Sequence, residues 1–302
     1  MKSLLALAAV CYSCISFAQT STLPDSCNTV MWGVVNAKGD TSYLLGTFHE
    51  FGNVFFDSYL PIAYRYKKAN HIAVETVPDH LFKRPKITKN WVKDYLIKTH
   101  SEMNLKFVKN LPPSFLCYTI EQQLLTSECH IKEQDDVVSM DGYVMNGAIT
   151  DKKKLTGLED ATGSRLNLIN AMAGAKDNED TAAVVRLLDM IKNEQKYIDT
   201  IRTQCWEADN YRNLTLNYHF SRQSVEDDTN FPWFLDERND AWMPKIKEMV
   251  DTGNAFIAVG LKHLYYQRGL IRQLINSGYT VMPVKMHKTA KPVYKNAPAR
   301  NR

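Results

Sequence analysis

A chain of 302 residues with 44% apolar, 11% aromatic and 23% charged composition is built like a globular protein with a full core, which excludes the disordered, collagen-like and low-complexity classes. Basic residues number 37 and acidic ones 33, a net charge of +4 scattered without basic blocks, too mild for a nucleic-acid partner. No apolar run approaches the roughly 20 residues of a membrane-spanning helix, so no transmembrane segment is expected.

The first 18 residues read as an export signal. Lys2 gives a positive start, residues 4–11 a short apolar run, and Ser16 and Ala18 the small positions of a cleavage site before Gln19. The expected destination is secreted or periplasmic. Lipid attachment at Cys11 is not expected, because Val10 stands where a lipoprotein has a small residue, and the Cys11-x-x-Cys14 pair falls inside the removed segment. Four cysteines remain, Cys27, Cys117, Cys129 and Cys205. That even number suits disulfides in an oxidising compartment; three pairings are open, buried free thiols are the alternative, and no spacing suits a zinc knuckle.

Residues 30–35 and 42–45, joined by a turn with Gly39-Asp40, predict a β-hairpin. Helical spacing follows over 58–70, then an apolar strand at 72–74 leading to Glu75. From about 80 to 235 the pattern is amphipathic or polar helix, as at 114–128 and 181–192, with one strand at 155–158 and no Gly/Ser-rich or Pro-rich linker. A helix at 240–252, a strand at 255–259, a helix at 269–276 and a last strand at 279–284 complete the order. The pattern predicts an α/β fold over 19–286 as one domain. Its mixed central sheet is built from both ends of the chain, with a large helical insertion at about 80–235 and a flexible basic tail at 287–302.

Two strand ends share a pattern, Gly46-Thr47-Phe48-His49 and Gly260-Leu261-Lys262-His263, both G-x-x-H after an apolar strand. Open α/β sheets bind ligands outside the carboxyl ends of their strands. Glycine frees the backbone to turn there, and an imidazole three residues later can point back over the sheet. Glu75 closes a third apolar strand. Two histidines and a carboxylate from three strand ends suit a first-row divalent metal with open positions, which makes His49, Glu75 and His263 the candidate ligands. Taken singly, a strand-end histidine is more often a satisfied polar residue than a ligand, and Glu75 could simply cap the following loop; the pairing is what points to a site. His71, four residues before Glu75 on the same strand, is a candidate to buttress a ligand.

The same segments carry a resemblance. Residues 42–49, 72–75 and 154–159, the Arg238-Asn239 pair, and 256–264 with Gly269-Leu270 and Gly278-Tyr279 resemble, in order, motifs of the TraB/PrgY/GumN family, which includes the Tiki Wnt-inactivating proteases. The resemblance implies that the family's paired histidines fall on His49 and His263, its glutamate on Glu75, and its Arg-Asn pair on Arg238 and Asn239. It implies a metal-dependent hydrolase, a Tiki-like peptidase above all, with manganese or cobalt as cofactor and zinc or iron as alternatives. Two positions depart from the pattern. Tyr266 stands where the family usually has Gly, and Glu50 follows the first histidine where an apolar residue is common, as an extra ligand, a base or a solvated loop residue.

On this reading His49, Glu75, His263 and Arg238 carry the catalysis. Glu75 serves as a ligand or as the general base. Arg238, expected just before the helix that leads into the second motif, stabilises an oxyanion or orients Glu75. Asp141 and Glu159 are read as helix-capping and loop-anchoring carboxylates. The competing readings are a non-catalytic protein binding metal, haem or peptide, and an ester hydrolase similar to the erythromycin esterases. The expected partner is a peptide or small-molecule substrate, with no nucleic acid.

Overall fold

The computed structural model describes residues 28–49, 51–77, 125, 128–131, 139–160, 185, 189, 192–203, 205–216, 232–265 and 267–288. The export segment, Cys27, Cys117, Glu50, Tyr266, most of the expected 114–128 and 181–192 helices and the tail beyond Lys288 lie outside the described residues.

The first hairpin forms where two apolar runs meet a turn that the sequence can close. Strands β1 (Met31–Val35) and β2 (Thr41–Thr47) pair antiparallel. Between them, Asn36 Oδ1 accepts the N–H groups of Lys38 and Asp40, and Gly39 takes a φ of +87°, the conformation glycine adopts at least strain. Two helices follow, α1 (Asn53–Ser58) and α2 (Leu60–Lys68), where one was expected over 58–70. Extended Tyr59 separates them, and Pro61 sits in the first turn of α2, where its missing N–H leaves no partner unpaired. Ile62, Ala63 and Tyr66 turn inward, and Arg65, Lys67 and Lys68 crowd the last turn, where cations complement the helix dipole.

Strand β3 (His71–Thr76) returns the chain to the sheet. It extends past Glu75, so this residue lies within the strand and not after it as expected. Helix α3 (Met140–Thr150) is capped by Ser139, whose hydroxyl accepts the Gly142 N–H, and leads into β4 (Lys154–Glu159). Helices α4 (Glu194–Thr203) and α5 (Trp206–Asn213) precede the long α6 (Pro232–Thr252). That helix begins eight residues before the expected 240, which carries Arg238 and Asn239 onto the helix itself. Strand β5 (Ala255–Gly260), a 3-10 turn (Leu261–His263), α7 (Leu270–Asn276) and β6 (Thr280–Pro283) end the order.

The six strands form one mixed sheet in the order β4-β3-β5-β2-β1-β6. Strands β4, β3, β5 and β2 run parallel, and β1 is antiparallel to both its neighbours. The two ends of the chain therefore meet in one sheet, as the pattern predicted. Central β5 is buried at every position, as expected of a parallel strand covered on both faces. Among the described residues Trp32, Trp242, Tyr66, Tyr211 and Tyr265 are the largest fully buried side chains, followed by Phe56 and Phe256. The order puts β3 and β2 on either side of β5, so the strands before His49 and His263 and the strand holding Glu75 are three consecutive neighbours. Among the described residues no helix is long and apolar enough to cross a membrane.

Candidate functional site

Three strand ends meet around one carboxylate. Glu75 Oε1 lies 3.7 Å from Nε2 of His49 and 3.7 Å from Nε2 of His263, and accepts the N–H of Gly260 at 2.7 Å. Its other oxygen accepts from Nη2 of Arg238 at 2.6 Å. Burial alone would raise the Glu75 pKa, but His263, His49, Arg238 and the Gly260 N–H outweigh it and hold the carboxyl down at about 2. Glu75 is a carboxylate throughout the neutral range.

His263 is fixed from behind. Asn239 Oδ1 faces its Nδ1 at 2.7 Å, while Asn239 Nδ2 donates to the carbonyls of His263 and Arg268 at 3.2 and 3.0 Å. Two carbonyl acceptors settle which end of the amide is nitrogen, so the amide oxygen must take the Nδ1 proton and the ring's lone pair sits on Nε2. Burial lowers the His263 pKa to about 3 against the pull of Glu75, helped by Arg238 and His49, and the ring stays neutral. Trp242 packs on it with ring centroids 4.4 Å apart.

His49 has a matching arrangement. Its Nδ1 bonds the Asp141 carboxylate in the first turn of α3, which leaves its Nε2 toward Glu75. The His49 side chain is 45% exposed and that of His263 only 4%, so the cluster opens to solvent at the first motif and is closed at the second.

The motif glycines do not serve the purpose expected of them. Gly260 has a φ of −51°, which any residue adopts. What matters is space: a Cβ on Gly260 would stand 3.0 Å from His49 Nε2 and 3.2 Å from Glu75 Oε1, and one on Gly46 would meet Leu261 Cδ1 at 2.4 Å. Each glycine makes room for the other motif's residues. Tyr211, on α5, donates to the Gly46 carbonyl at 2.8 Å; burial and the nearby Asp141 push its pKa well above 10, so it remains a neutral donor.

Arg238 ties the cluster to β4. Its Nε and Nη2 donate to the two oxygens of Glu159 at 3.1 and 2.6 Å, and its Nη1 lies 3.1 Å from His263 Nε2. The guanidinium stacks over Trp242 at 4.6 Å, and Trp242 Nε1 donates to Glu159 at 3.2 Å. Burial works against the charge, but the bonds to Glu159 and Glu75 raise the Arg238 pKa.

The structure thus brings His49, Glu75, His263, Arg238 and Asn239 together. Two sequence readings need correction. Asp141 does not cap α3, which Ser139 does, but bonds His49; Glu159 does not anchor a loop, but holds Arg238. His71 is not at the site: it lies at the amino end of β3, where its Nε2 meets Thr156 Oγ1 at 2.8 Å. Glu159 ends β4, and Glu75 stands one residue before the end of β3; nothing in the sequence pointed to Tyr211.

Residues 30–283 match the TraB/PrgY/gumN family across most of the chain. The chain belongs to this family. The TraB/PrgY/gumN match takes in all six strands, closing on Pro283 at the end of β6, and every residue of the cluster. No curated protein and no solved structure matches the chain.

Among the described residues no group of three His, Cys, Asp or Glu side chains is arranged to hold a metal ion. The donor atoms nevertheless fit a divalent cation in kind. Two Nε2 lone pairs and a carboxylate oxygen face one another, each ring held through Nδ1 in the way of metal-ligating histidines. One contact opposes it: Arg238 Nη1 occupies the lone pair of His263, and an ion can enter only as that contact is given up.

Proposed function

We propose that this protein is an exported, metal-dependent hydrolase, a peptidase of the Tiki kind rather than an esterase. The observation that carries the reading is the pair of imidazoles, each tethered through Nδ1, that turn their Nε2 atoms on one ionised oxygen of Glu75 at 3.7 Å. A cation among two imidazole nitrogens and an ionised oxygen would be attracted by all three. His49, Glu75 and His263 would hold it, and two nitrogens and one oxygen suit manganese, cobalt, zinc or iron; the family resemblance favours the first two. When bound, such a cation acidifies water and polarises a scissile carbonyl.

The chain's own groups support that chemistry. Asp141 and Asn239 keep both rings in the tautomer that offers Nε2. A carboxyl held at about 2 is a weak base at neutral pH, which favours Glu75 as ligand over Glu75 as general base. Arg238 directs its donors at Glu75, Glu159 and His263, which favours orientation of Glu75 over oxyanion binding. The exposed His49 side gives substrate its approach.

Export has its own support. Cys129 and Cys205 form a disulfide, a bond that persists in oxidising compartments. N-terminal sequencing of the protein from its native host should begin at Gln19. The decisive experiment is metal analysis of the purified protein beside a peptide-library cleavage screen with Mn2+ or Co2+. Stoichiometric metal and metal-dependent cleavage are expected. Metal without cleavage of peptide or ester would mean a binding protein, and absence of metal uptake would overturn the reading.

A further inference from the structure

Thr47 lies between the first motif's glycine and its histidine, buried to 1% exposure. Among the described residues its hydroxyl is the one buried side-chain polar atom without a hydrogen-bond partner. Such a group is destabilising, and valine, of the same shape, would occupy the position without that penalty. A parallel strand favours valine as readily as threonine. The placement suggests why the hydroxyl is there. Thr47 is the register partner of Gly260 across β2 and β5, and paired residues send their side chains to the same face of a sheet. The face in question is the one where Gly260 lacks a Cβ and where His49 Nε2 and Glu75 Oε1 stand 3.0 and 3.2 Å from the missing atom. Neighbouring strands are about 4.8 Å apart, so Thr47 is one strand from the peptide N–H that holds Glu75.

We propose that Thr47 is a positioning residue of this site, its hydroxyl reserved for a water that accompanies a divalent cation into the cluster. The inference rests on the reading of the site as a metal centre. With the cation and its water present the hydroxyl, which has no partner within the chain, gains one, and that bond becomes part of the affinity for the ion. Partners of this kind behind a metal site are typically worth about tenfold to a hundredfold in affinity.

The test uses the whole mature protein, with Mn2+ or Co2+ alone as the probe, and compares wild type with Thr47→Val and Thr47→Ser. Thr47→Val should melt at the same temperature or higher in chelator, bind the ion about tenfold more weakly, gain less thermal stability from it, and change the visible spectrum of the Co2+ form. Thr47→Ser, which keeps the hydroxyl and loses a methyl, should bind the ion as wild type does even if it melts lower. Wild-type affinity in Thr47→Val would overturn the inference and leave the metal reading standing. Equal loss in both variants, or a drop in the metal-free melting temperature of Thr47→Val alone, would make the residue a packing or structural-water position. If wild type itself takes up neither ion, the metal reading fails and this inference with it.

Discussion

The β-carbon that Gly260 lacks would lie 3.0 Å from Nε2 of His49, so the second motif's glycine sets the position of the first motif's histidine. Alanine there fits its backbone but crowds the ring and Glu75 together. Gly260→Ala should fold with nearly unchanged stability and lose activity by roughly a hundredfold, as small displacements of catalytic groups do. Gly46→Ala is the contrasting case, because its Cβ would meet Leu261 Cδ1 at 2.4 Å and Leu261 Cα at 3.1 Å, within the core. Overpacking of this kind costs about 2 kcal/mol. Thermal melts and turnover of the two variants should separate, and similar losses of stability in both would argue against the division of labour.

Glu75 and Glu159 both bond Arg238, yet only Glu75 faces the two imidazoles. Glu75→Gln should abolish metal uptake. Glu159→Gln should retain the metal and lower turnover, since it loosens the guanidinium that orients Glu75. Removing the cation itself by Arg238→Ala leaves two largely buried carboxylates without their partner, and should destabilise by roughly 3 kcal/mol. Metal content, measured for each purified variant, is the discriminating quantity. Equal loss of metal in Glu75→Gln and Glu159→Gln would put Glu159 among the ligands.

Acid should weaken the fold in two stages. The His263 pKa is depressed to about 3 in the folded chain from an unfolded value near 6.5, so its contribution is complete above pH 6.5 and is lost as pH falls toward 3. Glu75, depressed to about 2 from 4.5, adds a second loss below pH 4.5. Both groups favour the deprotonated form on folding, so the signs agree. Denaturant melts at pH 7, 5 and 4 should show falling stability, and His263→Gln should flatten the interval between 7 and 5. A stability independent of pH over that interval would mean that His263 is not buried neutral.

The strand ends were legible because their chemistry is local. An apolar strand followed by G-x-x-H announces both the strand and the histidine beyond its end, and β-propensity with parallel burial accounts for Ala255–Gly260. What the sequence hid was the support for these residues. Asp141 reaches His49 from 92 positions away and Glu159 reaches Arg238 from 79, separations at which no periodicity carries information. The polar run 236–240 gives no apolar stripe to extend α6 backward, so the sequence does not show Arg238 on the helix. The purpose of the glycines is hidden for a related reason: φ can be anticipated from a turn, whereas the room a neighbouring strand demands appears only once β2 and β5 are side by side.

The disulfide joins two segments that both bear on the site. Cys129 and Cys205 close a loop with a sequence separation of 76, and Cys205 immediately precedes α5. That helix carries Tyr211, bonded to the Gly46 carbonyl, and Arg212, bonded to the carbonyls of Cys129 and His130. The cross-link thus anchors the helix that holds the first motif's backbone. Constraining an unfolded loop of this length is worth about 4 kcal/mol in the chain-entropy account. The double variant Cys129→Ser/Cys205→Ser should therefore melt well below wild type, and reductant should shift wild type toward it while leaving the variant unmoved. Activity should fall with temperature in parallel with the melting of the variant, because Tyr211 is released as α5 loosens. A variant as stable as wild type would show that packing of α5 alone holds this end of the site.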